Sequence, residues 1–334
     1  MIPLPNYPAF FEWCLRNPVE QTLVVSPQRH PWEPGRLHAS DLGATLPAED
    51  GGCMRRPWLR IHGHPTRQHT AGEALMLFKG SLIHELLANW MEQRLHVKLP
   101  AWRVLAVEEA LPDMEGGVGR LDVRVVHVPT GETHIVDFKS VRGSAFEYRS
   151  FPYASHLIQV AAYARAKGDA QYSILYTDRE GQNYMAQTGP HPRMDDQVLA
   201  GWAALTALKA QTEPPPCVPP KAVLAKRKTT GPAVTLELSF QCNYCRCRDI
   251  SCPTALPADL RGKVVGHYDE ASGAFLPAPG REALAPLAEA ALAVALAKRG
   301  GGLPAEPGEA GAGQAAEGGG QGGAEMDEPK GEGE

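Results

Sequence analysis

Two side chains near the middle of the chain have the types and spacing of a hydrolytic site. The segment HIVDFKS, residues 134–140, has the pattern of a buried strand that carries two charges. Alternate residues of a strand point to the same face, so Asp137 and Lys139 emerge side by side. This pair is either a structural ion pair or part of a metal-dependent phosphodiesterase site, and the surrounding residues distinguish the two.

A predicted hairpin adds a second aspartate. The turn sequence PTGE separates strand patterns at 118–128 and 133–140. We place the turn so that Val128 faces Thr133. The charged side chains that then share one face are Asp122 opposite Lys139 and Arg124 opposite Asp137. The other face is apolar, so we expect it to be core.

Clustered carboxylates favour a bound cation. Two aspartates in one place repel each other and resist ionisation unless a positive charge neutralises them. Their oxygens suit Mg²⁺ or Mn²⁺, which also accept phosphate oxygens. A neighbouring lysine can orient a water molecule or stabilise charge on a phosphate.

Two predicted helices present further polar side chains. A helix pattern at 72–98 carries His84, with the small residues Gly80 and Ala88 one turn away on either side. A second helix at 154–167 carries Gln159 and Tyr163 on one face, because they are four residues apart. Further strand patterns at 103–111 and 171–177, and a helix near 193–211, complete the arrangement. Strands flanked by helices predict an α/β or α+β fold with a central mixed sheet.

The cysteines point to a second metal site. Cys242, Cys245 and Cys252 supply three thiolates in one short segment, which suits zinc or an iron–sulfur cluster. The fourth ligand is either Cys247, although it is only one residue from Cys245, or the distant Cys53. Cys14 and Cys217 read as plain apolar or surface cysteines.

These motifs together resemble a known family. Gly80–x₃–His84, Gly119–x₂–Asp122, Asp137–x–Lys139 and Gln159–x₃–Tyr163 occur in the order and spacing of RecB-like members of the PD-(D/E)XK nuclease superfamily. The resemblance covers roughly residues 38–255. It implies a restriction-endonuclease-like core and a metal-dependent DNA exonuclease that acts in recombination, repair or end processing.

The resemblance also implies roles for individual residues. The metal ligands would be His84, Asp122, Asp137 and the backbone carbonyl of Phe138. Lys139 would be the catalytic lysine, and Gln159 with Tyr163 would contact DNA or support the site. Glu109 is either an accessory acid or an exposed strand residue.

The iron–sulfur members of the family place one cysteine before the nuclease core and three after it. The ligands of a [4Fe–4S] cluster would thus be Cys53, Cys242, Cys245 and Cys252, with Cys247 as an alternative ligand and zinc as an alternative metal. After Cys53, the residues Arg55, Arg56 and Trp58 either contact single-stranded DNA, as Arg124 would, or pack around the cluster.

Composition sets the remaining expectations. The net charge is −5, but residues 299–334 hold eight acids against Arg299 and Lys330, so the rest of the chain is near neutral and local basic patches can still bind DNA. No apolar run is long enough for a membrane span and no signal peptide is recognised, so we expect a cytoplasmic protein without a membrane partner. The expected partners are single-stranded DNA or duplex ends, and a helicase, recombinase or integrase. The alternative is a catalytically silent DNA-binding or zinc-stabilised accessory protein.

Five segments are predicted along the chain. They are an N-terminal segment (1–71), the nuclease core (72–211), a Pro-rich connector with the cysteine-rich cluster loop (212–255), a C-terminal helical segment (256–298) and a disordered Gly/Ala/Glu tail (299–334).

Overall fold

The computed structural model describes most of the chain up to residue 300. The described parts are residues 4–17, 35–148, 151–179, 185–218, 221–225, 232–237, 263–269 and 271–300, with Cys242, Cys245, Cys247 and Cys252. The helices are α1 (Tyr7–Arg16), α2 (Arg55–Ile61), α3 (Ala71–Lys98), α4 (Ala145–Tyr148), α5 (Ala154–Lys167), α6 (Asp195–Leu208) and α7 (Ala285–Gly300). The strands are β1 (Leu37–His38), β2 (Trp102–Leu111), β3 (Gly117–His127), β4 (Glu132–Val141), β5 (Gln171–Asp178), β6 (Met185–Pro192), β7 (Lys221–Ala225), β8 (Ala233–Glu237), β9 (Val264–Asp269) and β10 (Ala274–Pro277).

A mixed sheet forms the centre of the molecule. Strands β2 to β6 lie side by side in chain order, and the short β1 pairs in parallel with the start of β3. Strands β4 and β5 are also parallel, and the remaining neighbours are antiparallel. A parallel pair needs a long crossover, which here contains α4 and α5. The predicted α/β class with a central mixed sheet flanked by helices is confirmed.

Both faces of this sheet are covered. Val136 and Phe138 of β4 are buried in the core that α1 and α3 close. Ile135, of the opposite parity, is buried in a second core on the side of α5 and α6. Strand β4 is therefore buried on both faces along the middle of its length, as expected for a strand inside an α/β sheet. The expectation that the apolar face of the hairpin is core is confirmed, since Val123 and Val125 of β3 are buried in the same core as Val136 and Phe138.

The β3–β4 hairpin forms as predicted, but with a different register. Val123 lies opposite Val136 and His127 opposite Glu132, a shift of two residues from the predicted pairing. The turn closes earlier because the Gly131 N–H donates to the His127 carbonyl at 2.8 Å and Gly131 adopts a left-handed φ of 72°. Val128 instead donates its N–H to the Ala101 carbonyl. A shift of two keeps every side chain on its predicted face.

Local sequence sets the ends of the two helices that flank the hairpin. Helix α3 begins after Thr70, whose side chain accepts from the Glu73 N–H while the Glu73 carboxylate accepts from the Thr70 N–H. Helix α5 ends at Gly168, which has a left-handed φ of 72°. The predicted ranges 72–98 and 154–167 match these helices to within one residue.

A second, antiparallel sheet follows the main one. Its strand order is β10–β9–β8–β7, and α7 packs against it. The segment 256–298, predicted as helical, contains strands β9 and β10 before α7. Of the tail predicted to be disordered, 299–334, residues 299 and 300 belong to α7, and residues 301–334 lie outside the described residues. No helix in the described part of the chain combines the length and apolarity that crossing a membrane requires.

Candidate active site

Asp122 and Asp137 lie opposite each other on neighbouring strands. The pairing of Val123 with Val136 places the two aspartates at the next position of the ladder. The Asp122 carboxylate accepts a hydrogen bond from the Phe138 N–H at 2.6 Å. This bond fixes the carboxylate of one strand to the backbone of the other, so the two acids are held together.

A chain of contacts positions Lys139. Its ammonium Nζ lies 2.7 Å from Oδ2 of Asp137 and donates to Oε1 of Gln159 at 3.2 Å. The Gln159 side-chain amide in turn donates to the Tyr163 hydroxyl at 2.7 Å. The spacing of Gln159 and Tyr163 on α5 thus brings both side chains to the lysine, on the helix face that the sequence predicts.

His84 approaches the same carboxylates from α3. Its Nδ1 lies 3.7 Å from Oδ2 of Asp122, and its ring meets the Phe138 ring edge-on. The helix comes close to the sheet one turn before His84, because a Cβ at Gly80 would lie 2.7 Å from the Ser140 hydroxyl. The imidazole is therefore within reach of the hairpin, as the small residue at 80 suggests.

Gly119 leaves room for Tyr163. A Cβ at position 119 would lie 2.6 Å from Cε1 of the Tyr163 ring and 2.7 Å from the Met114 sulfur. Real side chains do not approach this closely, so any larger residue would displace the ring or the sulfur. The glycine three residues before Asp122 is thus needed for packing beside the site.

Burial and mutual repulsion make the two aspartates hard to ionise. Burial raises the pKa of Asp137 to about 6, against the lowering effect of Lys139 and with a further contribution from Asp122. Burial also raises the pKa of Asp122, while Lys139 and the Phe138 N–H lower it. Two buried carboxyl groups in this state favour binding a cation.

A third acid, Glu108, joins the pair and was missed from the sequence. The register of β2 places Glu108 opposite Asp122, and its carboxylate lies 2.8 Å from the Arg120 guanidinium. Burial and the neighbouring Asp122 raise its pKa to about 7. Its φ of 51° is left-handed, which is unusual for a strand residue other than glycine.

Glu109, the residue considered from the sequence, points away and pairs with Lys167. The pairing of β2 with β3 is the signal that distinguishes the two glutamates. Glu108 lies opposite Asp122 and shares its face, whereas Glu109 lies on the other face of β2.

Several residues predicted to contact DNA have hydrogen-bond partners within the chain. Arg124 does not pair with Asp122 or Asp137. Its guanidinium instead binds both carboxylate oxygens of the fully buried Asp169. Trp58 is buried in the core on the side of α5 and α6, and it donates its Nε1–H to the Gln211 carbonyl at 3.0 Å. Arg55 donates to the Pro215 carbonyl at 2.8 Å. Of the two readings of the segment after Cys53, these contacts favour packing.

Six of the seven cysteines interact with at least one other cysteine. Cys245, Cys247 and Cys252 pack against the core on the side of α5 and α6, and Cys242 packs against the core of the second sheet. Those that interact electrostatically with one another are Cys53 with Cys242 and Cys245, Cys247 with Cys245 and Cys252, and Cys252 with Cys217 and Cys245. Cys14 lies apart, on α1, and is buried in the core that α1 and α3 close. The structure thus places Cys53 near Cys242 and Cys245, and it places Cys217 near Cys252, a neighbour that the sequence does not indicate.

Neither the aspartates nor the cysteines form a complete set of metal ligands among the described residues. Within the described ranges, no three His, Cys, Asp or Glu side chains are already gathered closely enough to hold a metal ion. At the aspartates, the buried carboxyl groups of raised pKa supply the hard oxygen donors that Mg²⁺ and Mn²⁺ prefer, so the residues present fit such an ion. Water and phosphate oxygens ordinarily supply the remaining ligands of these ions.

The chain has distant likenesses among solved structures. It matches no protein-family model and has no match among curated proteins. The crystal structure of SSO0001 is 14% identical over 69% of this chain and 91% of that chain, with a TM-score of 0.39. The alkaline exonuclease LHK-Exo from Laribacter hongkongensis is 14% identical over 53% and 87%, with a TM-score of 0.36. A phage-related exonuclease from Haemophilus somnus 129PT is 12% identical over 52% and 93%, with a TM-score of 0.33. Likenesses of this extent do not assign a function, which has to rest on the side chains of the site.

Proposed function

We propose that the chain is a metal-dependent deoxyribonuclease of the PD-(D/E)XK type that degrades DNA from its ends. The observation that carries this proposal is the pair of carboxylates on adjacent strands, with Asp137 buried, Asp122 14% exposed and the Lys139 ammonium 2.7 Å from Asp137. A structural ion pair would need only one carboxylate for one lysine. Lys139 pairs with Asp137 and Arg120 pairs with Glu108. Asp122 therefore adds a carboxylate beyond these two ion pairs.

A divalent ion would be held by Asp122 and Asp137, with His84 and the Phe138 carbonyl as further donors. When bound, Mg²⁺ or Mn²⁺ lowers the pKa of a water molecule and neutralises charge on the scissile phosphate. The raised pKa values of the two aspartates support this assignment, because a cation favours their ionised forms.

The chain's own side chains would position the reacting groups. Lys139 donates from a fixed position, because Gln159 accepts from its Nζ and Tyr163 orients Gln159. An ammonium held there can orient the attacking water or stabilise negative charge on the phosphate. The contacts of Gln159 and Tyr163 give them a positioning role, and direct contact with DNA is not needed to explain them.

The test is cleavage of end-labelled single- and double-stranded DNA with Mg²⁺ or Mn²⁺. We expect Lys139→Ala to lower the cleavage rate by at least about 100-fold, the usual contribution of one catalytic proton-transfer or charge-stabilising group. DNA affinity, measured by fluorescence anisotropy in Ca²⁺, should change little. Asp137→Asn should also abolish metal-dependent cleavage. The matched control is Lys209→Ala, because Lys209 is exposed beyond the end of α6.

The outcomes separate the candidate functions. Wild-type rates in Lys139→Ala would remove this lysine from the mechanism. Binding without cleavage by the wild-type chain would instead favour the DNA-binding accessory protein. The products of the two end labels give the polarity, and the substrate preference shows whether single strands or duplex ends are used.

The cysteines form the second part of the proposal. The resemblance implies a [4Fe–4S] cluster on Cys53, Cys242, Cys245 and Cys252, with zinc as the alternative metal. The interaction of Cys53 with Cys242 and Cys245 supports a metal–thiolate centre that links residues far apart in sequence. Its role would be structural, and a helicase, recombinase or integrase partner is an expectation from the resemblance alone.

A further inference from the structure

Arg120 is a cation beside the acidic residues of the candidate active site. It lies two residues before Asp122 on β3, so both side chains leave the strand on the same face. Burial raises the pKa of the Asp122 carboxyl, and the charge of Arg120 is among those that lower it. The Arg120 side chain is 41% exposed, so a ligand can reach its guanidinium from solvent.

Two contacts fix the position of Arg120. Its Nε lies 2.8 Å from Oε2 of Glu108, on the neighbouring strand β2. Its backbone N–H is hydrogen-bonded to the Tyr163 hydroxyl, which also accepts from the side chain of Gln159. The chain of contacts that positions Lys139 therefore reaches Arg120 as well.

Fold stability does not account for the pair of Arg120 and Glu108. An ion pair between partly exposed side chains contributes little to the free energy of unfolding. Glu108 also has a left-handed φ of 51°, a conformation that is costly for a residue with a Cβ and is retained mainly at functional sites. The pair is better explained if the guanidinium has to be held in one place for a ligand.

The ligand that suits this position is a phosphate of the DNA backbone. The carboxylates of Asp122 and Asp137 repel a DNA strand unless cations beside them offset their charge. The Lys139 ammonium is held by Asp137 and Gln159, so it faces the site itself. Arg120 offers a charge that solvent can reach, and its planar guanidinium, with five N–H donors, matches the oxygens of a phosphate.

We propose that Arg120 binds a phosphate next to the scissile one, and that Glu108 holds its guanidinium in place. This inference rests on the proposed function, because it takes DNA as the ligand and the aspartates as the cleavage site. Arg120 would contact a phosphate that does not react, so it would bind the ground state and the transition state equally. Its loss should therefore raise KM and leave kcat nearly unchanged.

The test is DNA affinity as a function of salt concentration, measured by fluorescence anisotropy in Ca²⁺ with labelled single- and double-stranded DNA. Arg120→Gln should weaken binding about tenfold or more, because it removes a hydrogen bond between charged groups. The slope of log Kd against log salt concentration should also become smaller by about 0.7–0.9, the contribution of one phosphate contact. Arg120→Lys keeps the charge and should restore most of this slope. Arg16→Gln is the control and should change neither quantity, because its ion pair with Glu12 lies within α1.

A second measurement needs no variant. Phenylglyoxal modifies accessible arginines, and bound DNA should protect Arg120 but not Arg16, as read by peptide mass spectrometry. An unchanged salt slope in folded Arg120→Gln, or modification of Arg120 at the same rate with and without DNA, would overturn the inference. The proposed function fails separately, if the wild-type chain binds DNA without cleaving it or if Lys139→Ala cleaves at the wild-type rate.

Discussion

Replacing Arg124 with alanine leaves a buried carboxylate without its main partner. The Arg124 Nε and Nη2 lie 2.8 and 2.6 Å from the two carboxylate oxygens of Asp169, whose side chain is 0% exposed. The Thr133 hydroxyl also donates to Asp169, so one hydrogen bond would remain. The substitution therefore tests whether Arg124 stabilises the fold or contacts DNA.

The size of the effect follows from this geometry. Removing one partner of a buried ion pair usually costs about 3–5 kcal/mol of unfolding free energy. The Arg124 side chain is 20% exposed, so water can reach part of the space that alanine leaves, and the lower end of that range applies. A loss of about 3 kcal/mol corresponds to a decrease in Tm of roughly 6–12 °C for a domain of this size.

The assay is thermal and urea unfolding followed by circular dichroism, with DNA affinity measured at a temperature where the variant is folded. Arg16→Ala is the matched control, because its ion pair with Glu12 is largely exposed and contributes at most about 0.5 kcal/mol. A stability within about 1 kcal/mol of wild type would refute the reasoning. Weaker DNA binding by a stable variant would support the predicted contact of Arg124 with DNA.

Three further predictions concern other buried positions. Gly119→Ala should lower the free energy of unfolding by about 1–3 kcal/mol and also slow DNA cleavage, because its Cβ displaces Tyr163. Gly72→Ala is the control and should do neither, because no atom lies within 4 Å of its Cβ. Equal behaviour of the two variants would contradict the packing argument. Burial lowers the pKa of His134 to about 4, so the unfolded state binds the proton more tightly and stability falls as pH drops from 6.5 to 4. Urea unfolding at pH 7 and 4.5 should show a loss about 2–3 kcal/mol smaller in His134→Asn than in wild type, and equal losses would exclude this histidine as the cause. Trp58→Phe should lower the unfolding free energy by about 1–3 kcal/mol without changing DNA affinity, whereas a stable variant with weaker binding would indicate that the indole contacts DNA.

Local patterns predict the elements around the site well. The hairpin, α3 and α5 follow from strand alternation, helix periodicity and capping residues, all of which act over a few neighbours. The shared face of Asp122 and Asp137 survives the error in register, because a shift of two residues preserves side-chain direction.

What the sequence does not reveal depends on contacts between distant segments. The true register is set by a backbone hydrogen bond of Gly131, and the partner of Arg124 lies 45 residues away at Asp169. Glu108 cannot be chosen over Glu109 without knowing how β2 pairs with β3. Strands β9 and β10 are short and follow a Pro-rich region, so periodicity gives them little signal.

The left-handed backbone at Glu108 lowers the free energy of unfolding at a position beside the candidate active site. Holding a residue with a Cβ in that conformation costs about 1–3 kcal/mol, and a glycine would adopt it freely. Glycine there would also relieve the crowding of charge against Asp122. Selection for thermal stability alone would therefore favour glycine at this position. Ranking substitutions by melting temperature would then remove a carboxylate from the site.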